Sequence, residues 1–169
     1  MKLIYKTISG FKFVKIGEFY KCDEPYQVKF EGKEISIDLS IKLISDMFKQ
    51  SDESAYLIFV NDNLVYVGEY SYNFEDRWLR KSKYVWHNTD DRIEEQLLLN
   101  NNVSLWLSVD PFIILPDDSR INISKSIEQE ILKKEDLVWN KRGKMKKYSE
   151  WREANCTPVI SIIQKLESQ

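Results

Sequence analysis

Residues 56–60 and 64–67 are two apolar segments of strand length, and only Asn61-Asp62-Asn63 separates them. Both segments are rich in aromatic and β-branched residues, which favour strands. The residues between them are typical of turns. The pattern predicts two adjacent strands joined by a three-residue turn.

The segment before this pair also has a strand pattern. Apolar residues recur at every second position within residues 11–39, which is the period of a strand, and Glu31-Gly32 is a suitable hairpin tip. From Ser40 onward the apolar residues recur at helical spacing instead. We therefore predict β-rich structure followed by a short helix that ends near Gln50.

The segment after the pair alternates between helical and strand patterns. The predicted elements are a basic helix over 74–86, a second helix over 89–99, a strand over 103–109, a loop around 111–118, and a helix from Ser124 or Ser126 through Leu132. Residues 149–155 have a helical pattern, and residues 158–163 fit a strand or a buried helix turn equally well. The order predicts an α+β fold with a small central antiparallel sheet flanked by helices.

Composition is that of one compact domain, since the 169 residues are 43% hydrophobic and 31% charged. Within it we predict an N-terminal β-rich extension with a short helix over 1–50, a core over 51–145 and a C-terminal extension over 146–169. Cys22, Cys156 and His87 are too few and too scattered for a structural zinc site. The start lacks a signal-like apolar run and no apolar stretch is long enough to span a membrane, so we predict a cytoplasmic protein without membrane contact.

Polar and aromatic residues recur at the ends of the predicted central elements. In chain order they are Ser54-Ala55-Tyr56, Tyr66-Val67-Gly68, Phe74-x-x-Arg77, Glu128-x-x-Ile131-Leu132 and Asn140. This ordered set resembles the GIY-YIG nuclease superfamily over roughly half of the chain. Ser54-Ala55 stands where that family usually has Gly-Ile, Glu69 follows the glycine, and Lys81 stands where the family often has His or Tyr.

The resemblance implies catalytic roles for five residues. Tyr56 would help to activate the attacking water, Arg77 would hold the scissile phosphate, and Glu128 would ligate Mg²⁺ or Mn²⁺. Tyr66 and Asn140 would position the substrate or the site. Phosphodiester hydrolysis needs a proton acceptor, a fixed cation and charge neutralisation, which these residue types can supply.

Glu130 is the rival of Glu128 for the metal, and helix geometry separates them. Glu128 shares a helix face with Ile131 and Leu132, at the border of the apolar stripe, where a carboxylate is partly buried. Glu130 instead meets Lys133 and Lys134 and is suited to a solvated ion pair.

Taken singly, each residue also has an ordinary structural explanation. Tyr56 and Tyr66 are aromatic residues in strands, and Arg77 could belong to a solvated face with the basic residues that follow it. Trp78 and Trp106 are better suited to the core than to base stacking. The joint pattern, rather than any one residue, favours the nuclease.

Two basic clusters predict a polyanion as partner, although the net charge is −2. One cluster contains Arg80, Lys81 and Lys83, and the other contains Lys141, Arg142, Lys144, Lys146 and Lys147. A flexible charged loop remains an equal alternative for the second cluster. If the clusters contact phosphates, binding is strongly salt-dependent.

Together with the resemblance, these observations predict a divalent-metal-dependent DNA endonuclease that acts on double-stranded DNA. In build the chain is most similar to the small restriction endonucleases of that superfamily, which implies a restriction-type role and a homodimer as one form of the enzyme. Two alternatives stay open. One is a low-specificity phage or mobile-element nuclease, and the other is a catalytically silent nucleic-acid-binding protein of the same fold. Glu69 and Lys81 are the features that favour the silent protein.

Overall fold

The computed structural model describes residues 3–30, 33–71, 74–79 and 88–140, with backbone alone for residues 24–30 and 33–38 and for Asp76 and Asn88. The strands of the main sheet are β1 (Tyr5–Ile8), β2 (Phe11–Phe30), β3 (Lys33–Leu43), β4 (Ser54–Val60), β5 (Asn63–Tyr70) and β6 (Val103–Ser108). They pair antiparallel in the order β1-β2-β6-β4-β5, with β3 on β2. The α+β class with an antiparallel sheet and flanking helices is confirmed.

The central hairpin is formed by β4 and β5, as predicted, but its turn is shorter. Val60 pairs with Asn63, so the turn contains only Asn61 and Asp62. Their φ angles are 47° and 66°, the left-handed region that two-residue type I′ turns require and that Asn and Asp tolerate. The prediction of a three-residue turn is therefore wrong, because Asn63 already belongs to the strand.

The N-terminal strands belong to the same sheet as the central hairpin. The first part of β2 pairs with β6, whereas its second part pairs with β3 up to the Phe30–Lys33 pair. The predicted hairpin tip, 31–32, lies outside the described residues. The division of the chain at residue 50 stays a prediction.

The predicted helix over residues 41–50 is wrong in its first part. Ile41 and Leu43 continue β3, where they pair with Phe19 and Gly17 of β2. Only a 3₁₀-helix over Asp46–Gln50 follows. Pairing with a long neighbouring strand overrides the helical spacing, which is a weak signal over so few residues.

The predicted helices over 89–99 and from 124 onward are confirmed as α1 (Asn88–Leu98) and α2 (Ser124–Lys134), and the strand over 103–109 as β6. At the start of α2, neither predicted serine is the cap. The Asn122 side chain accepts a hydrogen bond from the Ser124 backbone N–H at 2.8 Å. Within the predicted basic helix, Glu75–Leu79 winds as a π-helix, and residues 80–87 lie outside the described part.

The segment predicted as a loop around 111–118 instead contains β7 (Phe112–Ile114) and most of the turn that follows it. This strand forms a small hairpin with β8 (Arg120–Asn122), which begins two residues after the segment. Asp117 closes its turn by accepting hydrogen bonds from the Ser119 backbone N–H and hydroxyl. The proline-rich composition concealed two strands of three residues each, which are too short to show a period.

The main sheet has an apolar core on each face. On one face Tyr56 and Ile58 pack with Trp78 and with Ile93 of α1. On the other face Leu57 and Val67 pack with residues of α2. In the described ranges, no helix is long and apolar enough to cross a membrane.

Candidate active site

Gly68 provides the space in which the first tyrosine lies. It is the direct cross-strand partner of Tyr56 on the central hairpin. A Cβ at position 68 would lie 2.6 Å from the Tyr56 hydroxyl oxygen and 2.8 Å from Cε1 of Tyr66. Because these distances are shorter than van der Waals contact, only glycine lets both rings occupy this part of the sheet.

Tyr66 lies beside Tyr56, with ring centroids 5.9 Å apart. Burial raises the pKa of Tyr66 well above its ordinary value, and electrostatic interaction with Tyr56 and a hydrogen bond to it act in the same direction. Tyr66 therefore keeps its proton at neutral pH. It can donate a hydrogen bond to the Tyr56 oxygen, but it is a poor proton acceptor.

Arg77 completes what we call the tyrosine–arginine cluster, which consists of Tyr56, Tyr66 and Arg77 above Gly68. Nη2 of Arg77 donates to the Tyr56 hydroxyl oxygen at 3.4 Å, a long hydrogen bond. The arginine side chain is only 8% exposed, which excludes the alternative that it belongs to a solvated face. Burial lowers the pKa of Arg77, but Tyr56 and Asp90 outweigh this effect and the net shift is upward.

Two residues at the start of α1 also contact the guanidinium of Arg77, and sequence reasoning missed both. Thr89 accepts a hydrogen bond from Nη2 at 3.1 Å, and the Asp90 carboxylate lies 3.7 Å from Nη1. In the sequence both residues are typical of the polar first turn of a helix, which conceals any other role. The signal was present, because Asp90 lies three residues before Ile93 and so shares its buried face.

The guanidinium of Arg77 also contacts aromatic rings. Its Cζ atom lies 3.9 Å from the centroid of the Trp78 ring and 5.6 Å from that of Tyr56. The Trp78 ring meets Tyr56 edge to face at 5.0 Å. Trp78 and Trp106 are both buried, which confirms their assignment to the core.

Glu128 and Glu130 occupy the environments that helix geometry predicts. Glu128 is 7% exposed. Glu130 forms ion pairs with Lys133 and Lys134, at 3.5 and 2.9 Å. The negative charge of Glu128 contributes to the raised pKa of Tyr66, which links this carboxylate to the cluster although α2 packs on the opposite face of the sheet. β5 is the last strand in the sheet order, so groups from both faces can approach it.

Glu128 has the chemistry of a ligand for a hard divalent cation, but it is a single donor. Among the described residues, no group of three or more His, Cys, Asp or Glu side chains is placed to hold a metal ion. Mg²⁺ needs fewer protein ligands than this, since it keeps several waters and is often bound by one or two carboxylates plus substrate phosphates. Glu128 therefore fits a Mg²⁺ or Mn²⁺ ion that is shared with the substrate.

Asn140 lies along the outer edge of β5, one residue from Gly68. Its side-chain oxygen accepts from the Val67 backbone N–H at 3.1 Å, and its amide nitrogen donates to the Val67 carbonyl at 2.8 Å. These contacts take the place of strand pairing on this side of β5, where none of the described strands lies. Asn140 thus fixes the backbone beneath the cluster, which agrees with a positioning role.

The structure brings Tyr56 into contact with Tyr66 and with Arg77, and it places the Asn140 side chain against the backbone of β5. The predicted DNA-binding residues Arg80, Lys81 and Lys83 and the cluster from Lys141 to Lys147 lie outside the described residues. Glu69, the residue after the glycine, accepts a hydrogen bond from Ser71 at 3.0 Å.

No protein-family model matches the chain, and no curated protein matches it. Among solved structures, a mutant of bacteriophage T4 EndoII is similar at 19% sequence identity, over 72% of this chain and 91% of that chain, with a TM-score of 0.40. At this TM-score the similarity carries no argument about the activity of this chain.

Proposed function

We propose that the chain is a divalent-metal-dependent endonuclease that hydrolyses phosphodiester bonds in double-stranded DNA. The observation that carries the proposal is the convergence of Tyr56, Tyr66 and Arg77 above Gly68. The charge of Glu128 also acts on Tyr66, whose pKa it helps to raise. A restriction-type role rests on the resemblance of the sequence alone.

In this mechanism Tyr56 first releases its own proton to solvent and then, as a phenolate, accepts a proton from the attacking water. Arg77 and Tyr66 both present donors to the Tyr56 oxygen, which suits an oxygen that must carry the charge left by a lost proton. Arg77 also stabilises the negative charge that develops on the phosphate oxygens. Asn140 holds the β5 backbone so that Gly68 and the two rings keep their places.

Glu128 would contribute the protein carboxylate for Mg²⁺ or Mn²⁺. When bound, such an ion supplies charge neutralisation on the phosphate and on the departing alkoxide. Glu128 needs no second acidic residue for this role, because substrate phosphate and water complete the coordination.

A second candidate is a catalytically silent nucleic-acid-binding protein, and one observation favours it. The Arg77 side chain is only 8% exposed, and Tyr56, Trp78, Thr89 and Asp90 all engage its guanidinium. In a silent protein this arginine would serve the core rather than a phosphate.

The deciding experiment is plasmid cleavage by the full chain in Mg²⁺ and in EDTA, with Glu128→Ala and Glu130→Ala as matched variants. We expect cleavage in Mg²⁺ by the wild type and by Glu130→Ala, and none by Glu128→Ala, which should still shift DNA in a metal-free gel. DNA binding without cleavage by the wild type would favour the silent protein. Cleavage in EDTA would overturn the metal requirement.

A further inference from the structure

The start of α1 contacts the guanidinium of Arg77 through Thr89 and Asp90, in addition to the contact with Tyr56. We propose that Asp90, supported by Thr89, is the positioning residue that orients Arg77 toward the scissile phosphate. This inference rests on the proposed nuclease function and adds to it two residues that the sequence pattern did not assign.

Contacts restrict the guanidinium on an edge and on a face. Along its edge, Nη1 faces Asp90 at 3.7 Å and Nη2 is shared between Thr89 at 3.1 Å and Tyr56 at 3.4 Å. On its face, Cζ lies 3.9 Å from the Trp78 ring centroid. A planar group that is bounded in this way cannot rotate without losing several contacts at once, so its orientation is fixed.

Asp90 acts on Arg77 through charge rather than through a hydrogen bond. Nη1 is buried and makes no hydrogen bond within the described residues, although the carboxylate is 3.7 Å away. The carboxylate therefore orients the guanidinium without using the donors of Nη1.

Burial makes this pair a poor choice for stability alone. The Asp90 side chain is 0% exposed and that of Arg77 is 8% exposed, so folding strips water from two charges. Replacing such a pair by apolar residues is often neutral or stabilising, and a buried ion pair is therefore weak evidence of a stabilising role. Its place beside the Tyr56 oxygen favours a functional one.

The test compares Asp90→Asn with Asp91→Asn, a neighbour on α1 that is exposed and carries the same charge. We expect Asp90→Asn to lower the single-turnover cleavage rate of plasmid DNA by about 10- to 100-fold, because a small misplacement of a catalytic group has effects of this size. Affinity in a metal-free gel shift should change less than about twofold, since phosphate contacts elsewhere dominate it. Asp91→Asn should match the wild type in both measurements.

Thr89→Val is the second variant, because it removes one hydrogen bond and leaves the buried charges in place. We expect a smaller loss of cleavage rate in the same direction, at unchanged DNA affinity. It keeps the proposal testable if Asp90→Asn does not fold by circular dichroism. If Asp90→Asn does not fold, a Thr89→Val variant that cleaves at the wild-type rate would overturn the proposal.

Arginine side-chain ¹⁵N NMR provides a readout that does not depend on cleavage, with Arg77→Lys used to assign the signal. In the wild type the Arg77 guanidinium should rotate slowly and give resolved Nη protons. In Asp90→Asn the signals of these protons should average.

Loss of cleavage by Asp90→Asn together with averaging of the Nη signals supports the proposal. Wild-type cleavage by Asp90→Asn overturns it, and so does faster cleavage, which would mean that Asp90 restrains Arg77 from substrate. If the wild type does not cleave DNA, the nuclease proposal fails, and the NMR comparison still decides whether Asp90 orients Arg77.

Discussion

At the scale of single residues, Gly68 decides whether the cluster can form. The Tyr56 ring lies where any side chain at position 68 would project, and the Tyr66 ring lies next to it. Tyr56 and Gly68 are only twelve positions apart and face each other across the hairpin. A change of one carbon atom at this glycine therefore reaches both phenols.

We expect Gly68→Ala to abolish most cleavage and to destabilise the fold by about 1–3 kcal/mol, since an added methyl group overpacks the site. Gly10→Ala is the matched control. Gly10 has φ +93° and open space around its Cβ position, so alanine is strained there but touches nothing. Plasmid cleavage and urea unfolding of both variants separate the effects. Equal cleavage by the two variants would show that Gly68 matters for stability alone.

The residues of the site differ in how far sequence could predict them. Glu128 was separable from Glu130 because both lie on one helix, whose period fixes which side chain is buried. The same rule places Asp90 on the buried face of α1. An acidic residue in the first turn of a helix is so common, however, that it does not by itself indicate a site. The contact of Thr89 with Arg77 spans an undescribed segment, and no local pattern reports it.

At the scale of elements, a helix or strand could be predicted from the sequence when the contacts that stabilise it are local. α1, α2 and β6 were predictable because each has its own period or turn signals. The end of β3 was not, because Ile41 is held in a strand by Phe19, more than twenty residues earlier. The place of β2 beside β6 likewise depends on pairing between distant segments, which periodicity does not encode.

The end of β5 contains a tyrosine that makes stability depend on alkaline pH. Burial raises the pKa of Tyr70 to about 12, the charge of Asp52 adds to this, and the hydrogen bond with Ser51 opposes it. The folded state therefore favours the neutral phenol. Its contribution is complete below the ordinary pKa of about 10 and is lost as the pH rises from about 10 to 12.

We expect the stability advantage of the wild type over Tyr70→Phe to fall by roughly 2 kcal/mol between pH 9 and pH 12, on the scale of 1.36 kcal/mol per unit. Urea unfolding at several pH values measures it. Tyr20→Phe is the control, because Tyr20 is 46% exposed. An advantage that stays constant with pH would contradict a raised pKa at Tyr70.

At the scale of the whole molecule, the proposed function predicts that affinity for DNA depends on charge rather than on the tyrosine–arginine cluster. Tyr56, Arg77 and Glu128 are all nearly buried, so they present little surface to a duplex. The two basic clusters predicted from the sequence would supply the phosphate contacts. Each contact would add about −0.9 to the slope of log K against log salt.

Replacing Lys144, Lys146 and Lys147 by Ala should flatten this slope and weaken binding to all sequences alike, by the loss of up to three phosphate contacts. Lys12, Lys42 and Lys125 are exposed lysines elsewhere, and their triple Ala variant removes the same charge. Gel shifts over a salt series compare the two. If the slope flattens only in the variant of Lys12, Lys42 and Lys125, the DNA-binding surface includes those lysines instead of the second basic cluster.

The two-residue turn between β4 and β5 also bears on the order in which the site assembles during folding. A hairpin with so short a loop forms within microseconds in isolated chains, because its closure entropy is small. Tyr56, Tyr66 and Gly68 therefore meet by local pairing alone. Glu128 and Asn140 approach β5 only after some sixty further residues have collapsed onto the sheet. We expect the phenol pair to be an early feature of the folding chain, and the complete site to be a late one.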